Sequence, residues 1–276
     1  LSVNQQPEHP HLLRETPLPY IDTHCHLDFE VFDSDRLDLI QRCRKKGVTR
    51  TILPGVTQIQ WPKLLTYADQ HTEIAIAPGL HPCFIQEHSP SHLKELCALL
   101  ASDNGNIIGV GEIGLDFFVK SLDRQSQLTF FEEQVVLAQE FSLPLLLHVR
   151  KAHDEVLQVI RRLKFSCGGI VHCYSGSLQQ ADKYLAQGFK LGIGGVITYP
   201  NANRLQNIVQ SLPLTAFVFE TDAPDVPLAG RQNWINSPEN IPEICRAFSR
   251  YRDEADDQVT SEIYRNTLEL FPQLEG

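Results

Sequence analysis

The chain has 276 residues, 42% of them hydrophobic and 21% charged, with a formal net charge of −10. That length suits one large α/β domain, since an α/β barrel needs roughly 250 residues. The acidic balance argues against a broad basic surface gripping long duplexes, because non-specific nucleic-acid binding rests on Lys and Arg displacing counterions.

Residues 1–18, LSVNQQPEHPHLLRETPL, carry no sustained periodicity and read as a poorly ordered N-terminal extension, leaving 19–276 for the folded unit. The extension is polar and lacks the apolar core of a signal peptide. From Tyr20 onward, short apolar runs alternate with amphipathic segments: YIDTHC, VTRTILPG, EIAIAPGL, NIIGVGEIGL, LPLLLHV, GGIVHCY, FKLGIGG and TAFVFETD. Each is β-branched or apolar nearly throughout, as parallel strands covered on both faces require.

The intervening segments have helix signals. Thr57 with Gln60, and Ser177 with Gln180, fit the capping box. Ser89-Pro90 and Ser237-Pro238 set a hydroxyl before a proline at the first helical position. Gly47 follows a basic last turn and reads as a helix stop. RQSQLTFFEEQVVLAQEF is the longest helical pattern. Eight strands alternating with helices predict an α/β fold, a single (β/α)8 TIM barrel. A doubly wound open sheet is the alternative, but it usually carries a Gly-rich loop after its first strand, where this chain has THCHLD.

No apolar run approaches the roughly 18 residues of a membrane span. The seven cysteines (Cys25, Cys43, Cys83, Cys97, Cys167, Cys173 and Cys245) form a scattered odd set without a C-x-x-C pair. Reduced thiols in a soluble cytoplasmic protein are the expectation. Methionine is absent throughout, and the residues offer no physical account of that.

Ionisable residues end most of the apolar runs. His24 and His26 close the first, His81 the third, Glu112 and then Asp116 the fourth, His148 the fifth, His172 the sixth, and Glu220 and Asp222 the eighth. In a barrel, groups at strand C-terminal ends converge on one mouth. His24 and His26 are two apart, so on a strand they share a face, and Cys25 points the other way. Alone, each has a plain structural role open to it. His148 or His172 could be a hydrogen-bonded histidine, Glu112 a salt-bridge partner, and Asp222 an N-cap before Pro224. Together, four histidines and two carboxylates on five strand ends point to metal ligation, which also removes the cost of burying the carboxylates. Cys25 and Cys173 read as small core residues. Trp61 and Trp234 read as packing or loop residues, with Trp234 the better candidate for a substrate contact.

YIDTHCHLD, GLHP, GEIGLDF, LLLHVRKA, VHCYSG and ETDAP, in this order, resemble the TatD-type metal-dependent hydrolases, the TatD deoxyribonuclease family of the amidohydrolase superfamily. GGVITYP and ETDAPDVPL are most similar to its YjjV-type subgroup. The resemblance spans about Tyr20 to Phe271. It implies two divalent metal ions: His24, His26 and Asp222 on the first, His148 and His172 on the second, and Glu112 bridging both. Zn, Mg, Mn and Ni are not distinguished. It further implies a phosphodiesterase or deoxyribonuclease in which the two ions activate water, with Glu112 and Asp222 as the catalytic carboxylates. His81 and Arg150 would hold the substrate phosphate, unless His81 buttresses its loop and Arg150 pairs with a helix carboxylate. The expected substrate is a DNA end or short oligonucleotide, with no membrane and no obligate protein partner. A carboxylic ester, lactone or amide is the alternative, and a non-catalytic binding protein on the same barrel a third.

Overall fold

The computed structural model describes residues 19–102 and 104–275; the extension at 1–18 lies outside them. Eight parallel strands are laid down in chain order: β1 Tyr20–Asp22, β2 Val48–Pro54, β3 Ile74–Ala77, β4 Val110–Asp116, β5 Leu145–Arg150, β6 Gly169–Val171, β7 Phe189–Ile193 and β8 Phe217–Phe219. Helices follow them: α1 Arg36–Lys45, α2 Trp61–Gln70, α3 Pro90–Leu100, α4 Arg124–Glu140, α5 His153–Arg162, α6 Leu178–Leu185, α7 Asn203–Ser211 and α8 Ile241–Ser249, with α9 Asp256–Leu270 after them.

The strands pair as β1-β2-β3 and as β4 through β8, every pair parallel. Isolated backbone hydrogen bonds close the ring at both seams. At one, Ile76 donates to Asn106 O (2.9 Å), and Gly55 and Glu112 donate to Gly111 O and Gly55 O (2.8 Å each). At the other, Thr23 donates to Phe219 O (3.0 Å), Asp222 to His24 O (2.9 Å) and His26 to Ala223 O (2.7 Å). The barrel expected from the eight apolar runs is therefore present, with three of its strands only three residues long.

Strand parity divides the core. Leu145, Leu147 and Val149 of β5 pack outward into the large cluster between strands and helices, while Leu146 joins Ile21, Ile52, Ile170 and Val218 in a smaller cluster. Phe271 and Leu274, just beyond α9, belong to that smaller cluster. Two residues beyond Leu146 and Ile170 come His148 and His172, so these strands carry apolar groups low and imidazoles at the mouth.

Local signals act largely as the residues suggest. Gln180 accepts from Ser177 N (2.9 Å) while its own N–H donates to Ser177 Oγ (3.2 Å), a complete capping box. Ser89 and Ser237 precede prolines but make no side-chain cap. Gly47 takes a positive φ of 84° just past α1. One glycine governs the site: Gly114 has φ +144°, and a Cβ there would lie 2.0 Å from His148 O. Its absence of a side chain lets β4 and β5 meet where both carry site residues. Gly114→Ala should lower stability by about 3 kcal/mol, backbone strain and overpacking acting together. An unchanged urea midpoint would show that the two strands tolerate the extra carbon.

Candidate metal centre

The seam between β8 and β1 sets the first half of the site. Asp22, fully buried, accepts from His24 N (3.2 Å) and Thr221 N (2.9 Å) through Oδ1, and from Thr221 Oγ1 (2.5 Å) through Oδ2. With the backbone bonds of that seam, it locks the His-x-His segment against the turn carrying Asp222. Asp222 itself sits at φ 57°, a left-handed conformation that the seam bonds hold in place. Cys25, between the histidines, is buried in the outer core.

Glu112, on β4, stands at the centre. Its Oε2 lies 3.1 Å from His24 Nε2 and 3.4 Å from His26 Nε2, and Asp222 Oδ1 lies 3.7 and 3.8 Å from the same two nitrogens. Its Oε1 faces the other way, 2.8 Å from His148 Nδ1, 2.8 Å from His172 Nε2 and 3.1 Å from His81 Nε2. One carboxylate thus presents an oxygen to each of two imidazole groups. Two sets of ligand atoms, His24, His26 and Glu112, and Glu112, His148 and His172, each fit within 4.8 Å.

The electrostatics follow from crowding. Burial pushes His24 down to about 3, with the neighbouring His172 adding to the effect, and His81 down to about 4. Burial alone would also lower His172, but the charge and hydrogen bond of Glu112, with the charges of Asp222 and Glu220, together outweigh it and carry the imidazole up to about 10. Glu112 is held well below the usual carboxylate range: His81, His172 and His24 overcome its desolvation. Burial and the Glu112 charge push Asp222 up.

The donor set suits a borderline divalent cation. His148 Nδ1 and His172 Nε2 are 3.4 Å apart and both face Oε1, so two ring nitrogens converge on one carboxylate oxygen. A divalent cation between these atoms would supply the positive charge that ring protons supply without it. The ring nitrogens pointing away from Glu112, Nδ1 of His24, His26 and His172, have no hydrogen-bond partner among the described residues, although Glu220 Oε1 lies 4.0 Å from that of His172.

All eight site residues singled out in the sequence meet here. His81 is buried, and its Nδ1 accepts from Cys83 N (3.0 Å), so its proton is on Nε2, aimed at the cluster. Arg150 is about half exposed at the rim; its partner is the strand residue Asp116 (3.3 Å) rather than a helix carboxylate. Two other expectations change. Cys173 is not a core residue: it lines the cleft, 3.6 Å from Asp222 Oδ2, because its φ of 44° turns the chain after β6. Trp234 is exposed on a separate cleft of about 490 Å³ beside α8, away from the cluster, whereas Trp61 is buried and donates to Gly79 O.

Two acids had no assigned role in the sequence. Asp116 contacts His148 Nε2 at 3.0 Å. Glu220 is buried beneath His172, accepts from Cys173 N (2.5 Å), and is pushed up to about 7 by burial. Gly192 makes room for it, since a Cβ there would lie 2.2 Å from Glu220 Oε2. Their position at strand ends was visible; their partners depended on strand register.

The cluster floors a cleft of about 480 Å³ walled by Phe29, Phe84, Val196 and Val226. A buried histidine and carboxylate cluster under an open cleft, at the C-terminal mouth of a parallel barrel, defines a metal-dependent hydrolase. The family model described as TatD related DNase matches residues 21–272, and the chain belongs to that family. It is 36% identical to the uncharacterized metal-dependent hydrolase YjjV of Escherichia coli, over 91% of this chain and 97% of that one. The crystal structure of YjjV superposes with a TM-score of 0.89, covering 92% and 98% of the two chains. An uncharacterized metal-dependent hydrolase of Haemophilus influenzae is 34% identical (91% and 99% covered). The 3'-5' ssDNA/RNA exonuclease TatD of a Rahnella strain is 28% identical (87% and 93% covered).

Ligands that bind only the folded state stabilise it by mass action, about 2.7 kcal/mol at a hundred times Kd. Stripping the protein with a chelator should therefore lower its melting temperature, and Zn2+ or Mn2+ should restore it. A melting temperature indifferent to both treatments would speak against a metal centre.

Proposed function

We propose that the chain is a binuclear divalent-metal phosphodiesterase that acts on nucleic-acid ends or short oligonucleotides. The observation that carries this reading is the division of Glu112, one oxygen toward His24, His26 and Asp222, the other toward His148 and His172. The first group would hold one ion, the second another, and Glu112 would bridge them. When bound, the pair supplies a water acidic enough to ionise near neutral pH and positive charge to offset that of the phosphoryl group.

The chain's own residues do the rest. Asp222, its proton affinity raised by burial, is placed to take a proton at a carboxylate oxygen. His81 Nε2–H, which faces Glu112 Oε1 at 3.1 Å, would be the donor shared with a substrate oxygen. Arg150 presents its forked donors at the rim, where they match a phosphate. It is the one Lys or Arg among the described residues lining this cleft, which favours a single phosphodiester near a chain end over a long backbone track. The named activity of the Rahnella relative supports a nucleic-acid substrate.

With Mg2+, Mn2+ or Zn2+ added, the purified protein should release nucleotides from 3′-ended single-stranded DNA and hydrolyse bis-nitrophenyl phosphate. Asp222→Asn should cost about 10²–10⁴ in rate, and Glu112→Gln should abolish metal-dependent turnover in a protein that still melts cooperatively. Turnover of lactones or aryl esters alone would transfer the chemistry to carboxylic substrates. Two bound ions without turnover on a broad panel would favour a binding protein.

A further inference from the structure

Asp116, the last residue of β4, is fully buried, and every polar contact of its carboxylate has a definable direction. Oδ1 accepts from Phe118 N (2.9 Å) and Val119 N (3.1 Å), which clamps the carboxylate to its own turn. Oδ2 faces His148 Nε2 (3.0 Å), Arg150 Nη1 (3.3 Å) and Cys83 Sγ (3.5 Å). Gln127 of α4 fixes the backbone on both sides, its Oε1 accepting from Asp116 N (2.8 Å) and its Nε2 donating to Asp116 O (3.1 Å). The carboxylate therefore has little freedom to turn.

His148 differs from its neighbours in presentation. His24, His26, His81 and His172 aim Nε2 at Glu112, whereas His148 aims Nδ1. Both ring nitrogens face carboxylate oxygens, Nδ1 at 2.8 Å from Glu112 and Nε2 at 3.0 Å from Asp116; with a cation between Nδ1 and Glu112, the Asp116 acceptor keeps the remaining proton on Nε2 and leaves the Nδ1 lone pair for the site. Such outer partners orient ligating imidazoles and raise their basicity. The same oxygen holds Arg150, whose guanidinium also stacks on Phe118 at 4.4 Å. Arg150 is thus positioned by two groups of one short turn.

We propose that Asp116 is a positioning residue that couples the two halves of the reaction: through His148 it sets the tautomer that meets the metal, and through Arg150 it aims the cation that meets the substrate. This rests on the binuclear reading given above. An asparagine there cannot replace both functions. Its amide N–H would either face His148 Nε2, forcing the wrong tautomer, or face the Phe118 and Val119 N–H groups, breaking the turn.

The test separates the two couplings. Zn2+ titrated against a chromophoric chelator should bind the wild-type protein at two sites. In Asp116→Asn, one of them should weaken ten- to a hundredfold, and KM for bis-nitrophenyl phosphate should rise. Arg150→Ala should raise KM and leave both Zn2+ affinities alone. In the double variant the KM effect should be no larger than that of Arg150→Ala, because Asp116 reaches substrate through Arg150. On the Zn2+-loaded wild-type protein, nitrogen NMR of labelled histidine, with His148 assigned by His148→Gln, should place the proton on Nε2; this readout holds even if Asp116→Asn fails to fold. A proton on Nδ1 would overturn the proposal, as would unchanged Zn2+ affinities in a folded Asp116→Asn protein. Fewer than two Zn2+ sites in the wild type would overturn the binuclear reading, and this inference with it.

Discussion

A carboxylate taken out of water loses several kcal/mol of solvation unless charges or donors replace it. Glu112 is 2% exposed at the centre of the barrel mouth, and what replaces its water is a ring of five imidazoles contributed by four other segments. Nearly every local feature of the mouth follows from keeping that arrangement closed. Gly114 lets β5 approach so that His148 reaches Oε1. Asp22 ties β1 to the Thr221 turn so that His24, His26 and Asp222 arrive together. Gly192 admits Glu220 beneath His172. The site's cost is spread over the backbone of the barrel rather than met at the ligands.

The acidic balance of the chain, −10, acquires a local meaning beside this cluster. The described cleft residues include Glu112, Asp222 and Asp225 against a single guanidinium, Arg150. A polyanion gains little from such a surface by counterion release. For a phosphodiester, attraction must come from whatever cations the imidazoles hold and from one forked donor, so the field is short-ranged. The apolar walls, Phe29 and Phe84 among them, face whatever flanks the phosphate. That combination is in keeping with the proposed action on ends or short oligonucleotides.

The barrel was legible because parallel strands buried on both faces must be apolar throughout, and eight such runs admit few arrangements. The candidate ligands were legible for a related reason: an ionisable residue at the end of an apolar run has only the mouth to face. Less was legible where register decides. Asp116 sits in GLD as plainly as Glu112 sits in GEI, yet its partnership with His148 depends on the pairing of Asp116 with Arg150 across β4 and β5. Cys173 followed the alternation of β6 on paper, but β6 ends at Val171 and a positive φ sends the thiol into the cleft. Trp234 belongs to a loop whose path no periodicity describes, and that loop turns the indole to a different cleft. Strand content predicted which side of the sheet a residue occupies; it could not predict where a strand stops.

The outer acids make the two halves of the cluster unlike each other. Behind His148 stands Asp116 and behind His172 stands Glu220, whereas Nδ1 of His24 and of His26 has no hydrogen-bond partner among the described residues. The two distances differ as well, 3.0 Å for the first acid and 4.0 Å for the second. Glu220 spends its short contact on the backbone of Cys173, so it supports the turn that carries His172 more than the ring itself. Asp116 contacts the ring directly and reaches the substrate side through Arg150. Two buried carboxylates at the ends of β4 and β8 therefore do different work, and the difference is set by the turn each one is clamped to.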